Sequence, residues 1–281
     1  MLDFLRGLDK DLRKALLTQL RNLWTHTSTA IEGNTLTLGE TAFVLEEGLT
    51  IAGKPLKDHQ EVVGHARAID LVYDCLQKGR PFGEADLFAL HQAVQTEVVV
   101  DFYKPVGDWK KEPNSSVSVV DEKQVIFEYA PPDDVPPLMV DWFRLYGELS
   151  SAISPGDRQL ALTAYVKLHI SFVRIHPFFD GNGRLARLVA NLPVLMAGLP
   201  PIIIPREQRK AYIDALSAYH YAVGQIRAGN ELLPKAEKLE PFTAFCRQAW
   251  QASLDLVQEA REKQRARSNK LPSGSDCEAS P

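Results

Sequence analysis

A short segment of this 281-residue chain gathers side chains that suit phosphate chemistry. An imidazole with its usual pKa near 6.5 can take a proton from an alcohol, and a carboxylate suits Mg²⁺. Glycines let backbone amides turn toward an anion, and arginines bind phosphate with forked donors. The residues concerned are His176, Asp180, Gly181, Asn182, Gly183, Arg184 and Arg187. Their combination within twelve positions predicts a polyphosphate site beside a proton acceptor.

Two helices must hold these side chains together. Apolar residues recur at helical spacing from about residue 156 to Ile175, and Pro177 disfavours helical backbone at His176. A second helix is predicted to open at Arg184, so its positive N-terminal end faces the same loop. Arg184 and Arg187 lie three positions apart and therefore share one side of that helix.

Most of the chain has the same helical spacing of apolar residues, as in Leu12, Leu16 and Leu20. Residues 115–129 differ, because apolar residues alternate on both sides of a polar turn at 121–124. The expected fold is therefore all-α, with one small β-hairpin.

Composition narrows the class of protein. Apolar residues make up 45% and charged residues 24%, which is typical of a soluble globular protein. A net charge of −4 makes nucleic acid an improbable partner, and no apolar run reaches the roughly 20 residues that cross a membrane. A cytoplasmic location is expected, since no signal peptide is apparent.

The pattern His-Pro-Phe-x-Asp-Gly-Asn-Gly-Arg-x-x-Arg at 176–187 matches every fixed position of a known signature. It resembles that of Fic-domain proteins (filamentation induced by cAMP). The resemblance implies a Fic-type helical bundle and a protein adenylyltransferase that moves AMP from Mg·ATP to a hydroxyl side chain. It also implies that His176 is the base and Asp180 the Mg²⁺ ligand. Asn182 and the amides of Gly181 and Gly183 would hold the α- and β-phosphates, and Arg184 and Arg187 the β- and γ-phosphates.

The resemblance extends beyond the loop. The hairpin corresponds to a flap on which the target protein docks, with Val117, Val119, Val125 and Phe127 as its apolar residues. Tyr212 corresponds to a tyrosine near the adenine pocket. Three regions are expected: residues 1–60 as an N-terminal helical region, 61–250 as the catalytic core, and 251–281 as a helix end with a disordered tail.

Ser28 and Glu32 lie four apart near the end of a predicted helix and so share one face. The segment Ser-x-x-x-Glu-Gly resembles an inhibitory helix of the family, in which the glutamate pairs with the second arginine of the motif. That arginine is Arg187 here. A carboxylate paired with its guanidinium would compete with the γ-phosphate of ATP, so autoinhibition is predicted.

Two other functions remain open from the sequence. A hydrolase could use Glu32 to position water and remove AMP from a modified protein, or the chain could be a non-catalytic regulator that senses nucleotide. Self-modification and a homodimer are both possible for a member of this family. The sequence identifies neither the target protein nor which of Ser, Thr or Tyr is modified.

Overall fold

The computed structural model describes residues 2–95, 101–120 and 122–269. Its α-helices are α1 (Lys10–Ile31), α2 (Leu38–Glu47), α3 (Leu56–Gln77), α4 (Glu84–Val94), α5 (Val135–Ala152), α6 (Arg158–Ile175), α7 (Asn182–Val189), α8 (Leu192–Met196), α9 (Arg209–Val223), α10 (Glu240–Ala249) and α11 (Gln251–Ser268). Short 3₁₀ turns occupy Asp3–Leu5, Pro132–Asp134, Arg206–Gln208 and Ala236–Leu239. Strands β1 (Ser115–Val120) and β2 (Lys123–Glu128) form an antiparallel pair. The predicted all-α fold with one hairpin is confirmed.

Helix α6 lies at the centre of the molecule. Twelve of its eighteen residues are buried, and α5, α7, α8 and α10 pack around it. A helix that is covered on all sides must lie in the core. The side chain of Asp157 caps its first turn by accepting a hydrogen bond from the Leu160 amide at 2.9 Å. The helix therefore holds its far end, at His176, in a fixed place.

Helix α7 begins earlier than the sequence suggests. It starts at Asn182 rather than at Arg184, because Gly181 adopts the left-handed conformation (φ 80°) and acts as the N-cap. The loop between α6 and α7 is accordingly short, and the first turn of α7 contains Gly183 and Arg184.

The hairpin packs on α9 through one of its two faces. Residues paired across the strands share a face, so Ser116 and Phe127 lie together, as do Val117 and Ile126. Phe127 is buried and stacks on the ring of His220 at 4.9 Å between centroids. Val117 is exposed on the other face.

The four predicted flap residues therefore divide between the faces. Val117 and Val119 point outward, whereas Val125 and Phe127 belong to the face on α9. Residue 121, in the predicted polar turn, lies outside the described residues.

Within the described part of the chain, no helix has the length and apolar character to cross a bilayer. The helix end predicted after residue 250 corresponds to α11. The disordered tail predicted for the last dozen residues lies outside the described residues. The division of the chain at residues 60 and 250 stays a prediction.

Candidate active site

The His176 imidazole is held from two sides at the end of α6. Its Nδ1 lies 3.2 Å from the Val173 carbonyl oxygen, which can only accept a hydrogen bond. The Tyr129 ring stacks on the imidazole, with centroids 3.7 Å apart and planes 7° from parallel, and its hydroxyl lies 2.7 Å from Ser116 Oγ. The proton is therefore assigned to Nδ1, which leaves Nε2 unprotonated and able to accept one.

Burial and the positive charge of Lys110 lower the pKa of His176 to about 3. The imidazole is therefore neutral at physiological pH. Lys110 is itself buried, which lowers its pKa to about 7. Its Nζ donates to Asn114 Oδ1 at 2.6 Å, and its amide donates to the Pro177 carbonyl at 3.0 Å. This contact ties the segment before the hairpin to the motif loop.

The loop is closed by the side chain of Asn182. Its Oδ1 accepts from the Phe178 amide at 2.9 Å, and its Nδ2 donates to the Phe178 carbonyl at 2.7 Å. Both ends of the side-chain amide are thus used to fix the loop. The predicted contact of Asn182 with phosphate stays a prediction.

Arg184 is almost completely buried, with 5% of its surface exposed. Its guanidinium donates to the Val94 carbonyl at 2.8 Å, to Asp180 Oδ2 at 3.2 Å and to Gln95 Oε1 at 3.3 Å. Gln95 Nε2 in turn donates to Asp180 Oδ2 at 3.3 Å. The end of α4 therefore contacts both members of the Asp180–Arg184 pair.

The Asp180 side chain is 64% exposed. Partial burial favours a raised pKa, but the charge of Arg184 and the Gly181 amide outweigh it, so the pKa of Asp180 lies below its usual value. The hydrogen bonds from Gln95 and Arg184 to the Asp180 carboxylate both use Oδ2. Across residues 2–95, 101–120 and 122–269, no three His, Cys, Asp or Glu side chains form a metal-binding group. One ionised carboxylate fits Mg²⁺ that arrives with phosphate oxygens, because that ion usually takes only one or two protein carboxylates.

Arg187 is 2% exposed and is bonded to the end of α1. Its Nε donates to Ser28 Oγ at 3.0 Å, and one terminal nitrogen donates to the Ser28 carbonyl at 2.9 Å and to Glu32 Oε1 at 2.6 Å. Burial favours a lower pKa for Arg187, but the Glu32 carboxylate reverses this effect and raises it. Ser28, Glu32 and Arg187 thus meet, as the sequence predicts.

The Glu32 carboxylate also lies over the first turn of α7. A Cβ built on Gly183 would approach Glu32 Oε1 to 2.6 Å and an Arg187 terminal nitrogen to 3.2 Å. Only a residue without a side chain allows the carboxylate this position.

Tyr212 lies in α9 and is buried. Its hydroxyl is 3.4 Å from the other terminal nitrogen of Arg187 and 3.0 Å from His169 Nε2. The structure therefore brings Tyr212 into contact with the site through its hydroxyl. The predicted contact of Tyr212 with adenine stays a prediction.

Several residues of this site do not stand out in the sequence. Gln95 is a polar residue at a helix end, Tyr129 follows a strand, and Lys110 lies in an irregular segment. Their positions depend on packing between distant elements. Only the adjacency of Tyr129 to the hairpin could have marked one of them in advance.

Comparison with known proteins agrees with the geometry. Residues 81–194 match the model of the Fic/DOC family. Protein adenylyltransferase fic-1 of Caenorhabditis briggsae is 34% identical over 211 residues, which are 69% of this chain and 36% of that protein. Protein adenylyltransferase Fic of Drosophila willistoni is 31% identical over 236 residues, which are 82% of this chain and 40% of that protein. The chain therefore spans well under half the length of these curated relatives.

Solved structures share the fold over nearly the whole chain. A Fic-domain-containing signalling protein from Bacteroides thetaiotaomicron superposes with a TM-score of 0.75 at 26% identity, covering 97% of this chain and 96% of that one. A segment of Fic-1 from C. elegans superposes with a TM-score of 0.64 at 27% identity, covering 94% of this chain and 67% of that one. With motif, fold and relatives in agreement, this chain contains a Fic/DOC-family domain, which the family model matches over residues 81–194.

Proposed function

We propose that this chain is a protein adenylyltransferase that transfers AMP from Mg·ATP to a Ser, Thr or Tyr hydroxyl of a protein. The observation that carries the proposal is the neutral imidazole of His176 at the start of a loop that leads into the N-terminus of α7. Among the described residues, its Nε2 has no hydrogen-bond partner and can accept a proton. Two buried arginines complete the same loop. The relatives named protein adenylyltransferase give the same reaction class.

In the proposed reaction, the target hydroxyl oxygen attacks the α-phosphorus of ATP while Nε2 of His176 takes the hydroxyl proton. The bond between the α-phosphorus and the bridging oxygen breaks, and pyrophosphate leaves with that oxygen. The negative triphosphate beside His176 raises the low pKa of the imidazole and so strengthens it as a base.

The loop supplies positioning and charge for the triphosphate, which is how phosphoryl-transfer enzymes obtain most of their rate. Backbone amides at Gly181 and the N-terminus of α7 face the phosphates, and Arg184 and Arg187 neutralise them. Mg²⁺ enters with ATP as part of the substrate and is held by Asp180.

We further propose that Glu32 inhibits the enzyme. Its carboxylate accepts a hydrogen bond from a terminal nitrogen of Arg187 at 2.6 Å and covers the first turn of α7. Both are groups that the γ-phosphate needs. Glu32 is also 40% exposed, so it can leave without unfolding the core.

The hairpin is the proposed docking flap for the target. Its outward face carries exposed Val117 and Val119. The hairpin adjoins the site through Tyr129, whose ring stacks on His176. An extended peptide added along the hairpin would bring a hydroxyl toward the imidazole.

The test is intact-mass measurement of the chain, and of proteins in a cell extract, after incubation with Mg·ATP. We expect an AMP adduct with Glu32→Gly, a weaker adduct with the unmodified sequence, and none with His176→Ala. Label in the α-phosphate should be retained and label in the γ-phosphate lost. Equal adduct with and without His176 would overturn the proposal, as would loss of AMP from a pre-modified target without any forward transfer.

A further inference from the structure

A chain of buried hydrogen bonds reaches Arg187 from the side opposite Glu32. One terminal nitrogen of the guanidinium contacts Glu32, and the other lies 3.4 Å from the Tyr212 hydroxyl. That hydroxyl lies 3.0 Å from His169 Nε2. His169 is completely buried in α6, and Tyr212 is buried in α9.

The direction of these bonds follows from the chemistry of the groups. A guanidinium can only donate, so the Tyr212 oxygen accepts from Arg187. The hydroxyl proton of Tyr212 then points to His169 Nε2, which must be unprotonated. Burial and the charge of Arg187 lower the pKa of His169 to about 3, so the imidazole is neutral and can accept. The three groups form one consistently oriented chain.

The two sets of contacts to Arg187 come from different elements. Ser28 and Glu32 both belong to the end of α1, so a movement that withdraws Glu32 also disturbs Ser28. Tyr212 and His169 belong to α9 and α6, which both pack on α10. Their hydrogen bonds to Arg187 involve no residue of α1. The start of α9 does contact that helix, because Arg209 Nε donates to the Ile31 carbonyl at 2.7 Å.

We propose that Tyr212 and His169 are a positioning pair that keeps the Arg187 guanidinium in place once Glu32 withdraws. This inference rests on the proposed function. In the inhibited state, Arg187 is held both by the end of α1 and by this pair. In the active state, the hydrogen bond to Tyr212 is the contact that remains on Arg187. The arginine is then oriented for the triphosphate before ATP arrives, which reduces the ordering cost of binding.

The experiment uses Glu32→Gly as the background, so that the carboxylate does not compete. Tyr212→Phe removes one hydroxyl and keeps the ring, and we expect it to raise the Kd for Mg·ATP by about three- to tenfold, since an ordinary hydrogen bond contributes on that order. His169→Leu should have a similar effect. His169→Gln, which keeps an acceptor at the same distance along the side chain, should restore most of the affinity.

Tyr165→Phe is the matched control. Tyr165 lies one turn before His169 on α6, is fully buried, and has a hydroxyl with no hydrogen-bond partner among the described residues. The same chemical change there should leave the Kd for Mg·ATP unchanged. A double-mutant cycle adds the second readout, because Tyr212→Phe should have no further effect on Kd once Arg187 is replaced by Ala.

A purely structural role for the pair predicts a different result. Tyr212→Phe would then lower the thermal midpoint and weaken ATP binding equally with or without Arg187, which would overturn the proposal. An unchanged Kd in Tyr212→Phe, with Glu32→Gly active, would overturn the positioning pair alone. If Glu32→Gly binds ATP without AMP transfer, the proposed reaction fails and the Kd comparison still decides the pair. If it neither binds ATP nor transfers AMP, both proposals fail.

Discussion

Arg184 and Arg187 lie one turn apart on α7, yet they depend on different parts of the chain. Arg184 is fixed by the Val94 carbonyl and by Asp180, a carboxylate four residues away in the same loop. Arg187 is fixed by Glu32, which is 155 residues away. Both guanidinium groups are nearly inaccessible, whereas both carboxylates are partly exposed.

Under the proposed function, this difference separates a catalytic part of the site from a regulated part. Asp180 and Arg184 are close in sequence, and the distance between Oδ2 and the guanidinium nitrogen is rather long, at 3.2 Å. This ion pair can therefore open to a ligand without moving any helix. The pair of Glu32 and Arg187 is short, at 2.6 Å, and joins α1 to α7. The end of α1 hydrogen-bonds Arg187 and not Arg184, so we expect a shift of that end to act on Arg187 first.

The largest predicted effect comes from neutralising each carboxylate in turn. Glu32→Gln and Asp180→Asn are the same isosteric change beside neighbouring arginines, and we expect opposite results. Glu32→Gln should raise AMP transfer about tenfold or more, because a charge-assisted hydrogen bond that competes with phosphate is lost. Asp180→Asn should lower it about a hundredfold or more, because the anionic oxygen for the metal is lost.

Initial rates of AMP incorporation at several Mg²⁺ concentrations measure both changes. Higher Mg²⁺ should partly restore Asp180→Asn and should leave the ratio of Glu32→Gln to the unmodified protein unchanged. Changes of the same sign in the two variants would remove the distinction between the two arginines.

The next prediction concerns the neutral histidines that surround both guanidinium groups. Burial lowers the pKa of His91 to about 4 and of His169 to about 3, and it lowers that of His65 well below its usual value. Arg184 and Arg187 lower the pKa of His65 further. The unfolded chain protonates these side chains near pH 6.5, whereas the folded chain does not.

Stability should therefore be complete above about pH 6.5 and should fall as the pH falls toward 4. Three extra protons on these side chains contribute about 4 kcal/mol per pH unit to the slope of the free energy of unfolding. His176 and His220, whose pKa values are lowered to about 3 and about 4, add up to one proton each. Urea unfolding at a series of pH values measures this slope. His169→Gln should lower this slope by the contribution of one proton, about 1.4 kcal/mol per pH unit. A free energy of unfolding that does not change between pH 6 and 4 would contradict the neutral state of these histidines.

The sequence predicts the parts of the site that follow from local rules. Proline after His176 ends α6, and the glycines allow the loop to turn into α7, so the motif comes together without information from other elements. The spacing of Ser28 and Glu32 predicts that they share one face of a helix. The family resemblance identifies Arg187 as the partner of Glu32. The distances to Arg187 agree with that expectation.

The remaining contacts depend on tertiary packing. The stack of Tyr129 on His176 requires the hairpin to lie across the end of α6, and no periodicity records this. The contact of Tyr212 with Arg187 requires α9 to pack beside the motif. A buried tyrosine on a helix has the same pattern whether its hydroxyl meets an arginine or nothing, as Tyr165 illustrates among the described residues.

The smallest predicted effect tests how closely Glu32 lies over α7. Gly183→Ala places a methyl group 2.6 Å from Glu32 Oε1, which is too close for a real contact. The backbone at Gly183 is helical, so alanine fits the conformation and only the carboxylate and Arg187 must move. We expect the activating effect of Glu32→Gly, measured as the ratio of AMP transfer rates with and without Glu32, to shrink about threefold in Gly183→Ala, since a weakened pair inhibits less.

Using this ratio removes any direct effect of the methyl group on ATP, because that effect is present in both measurements. Gly147→Ala in α5 is the matched control, since a Cβ there meets nothing within 4 Å. Its ratio should equal that of the unmodified sequence. An unchanged ratio in Gly183→Ala would mean that Glu32 inhibits from a position away from the first turn of α7. Arg187 would then be the sole group through which the end of α1 acts on the site.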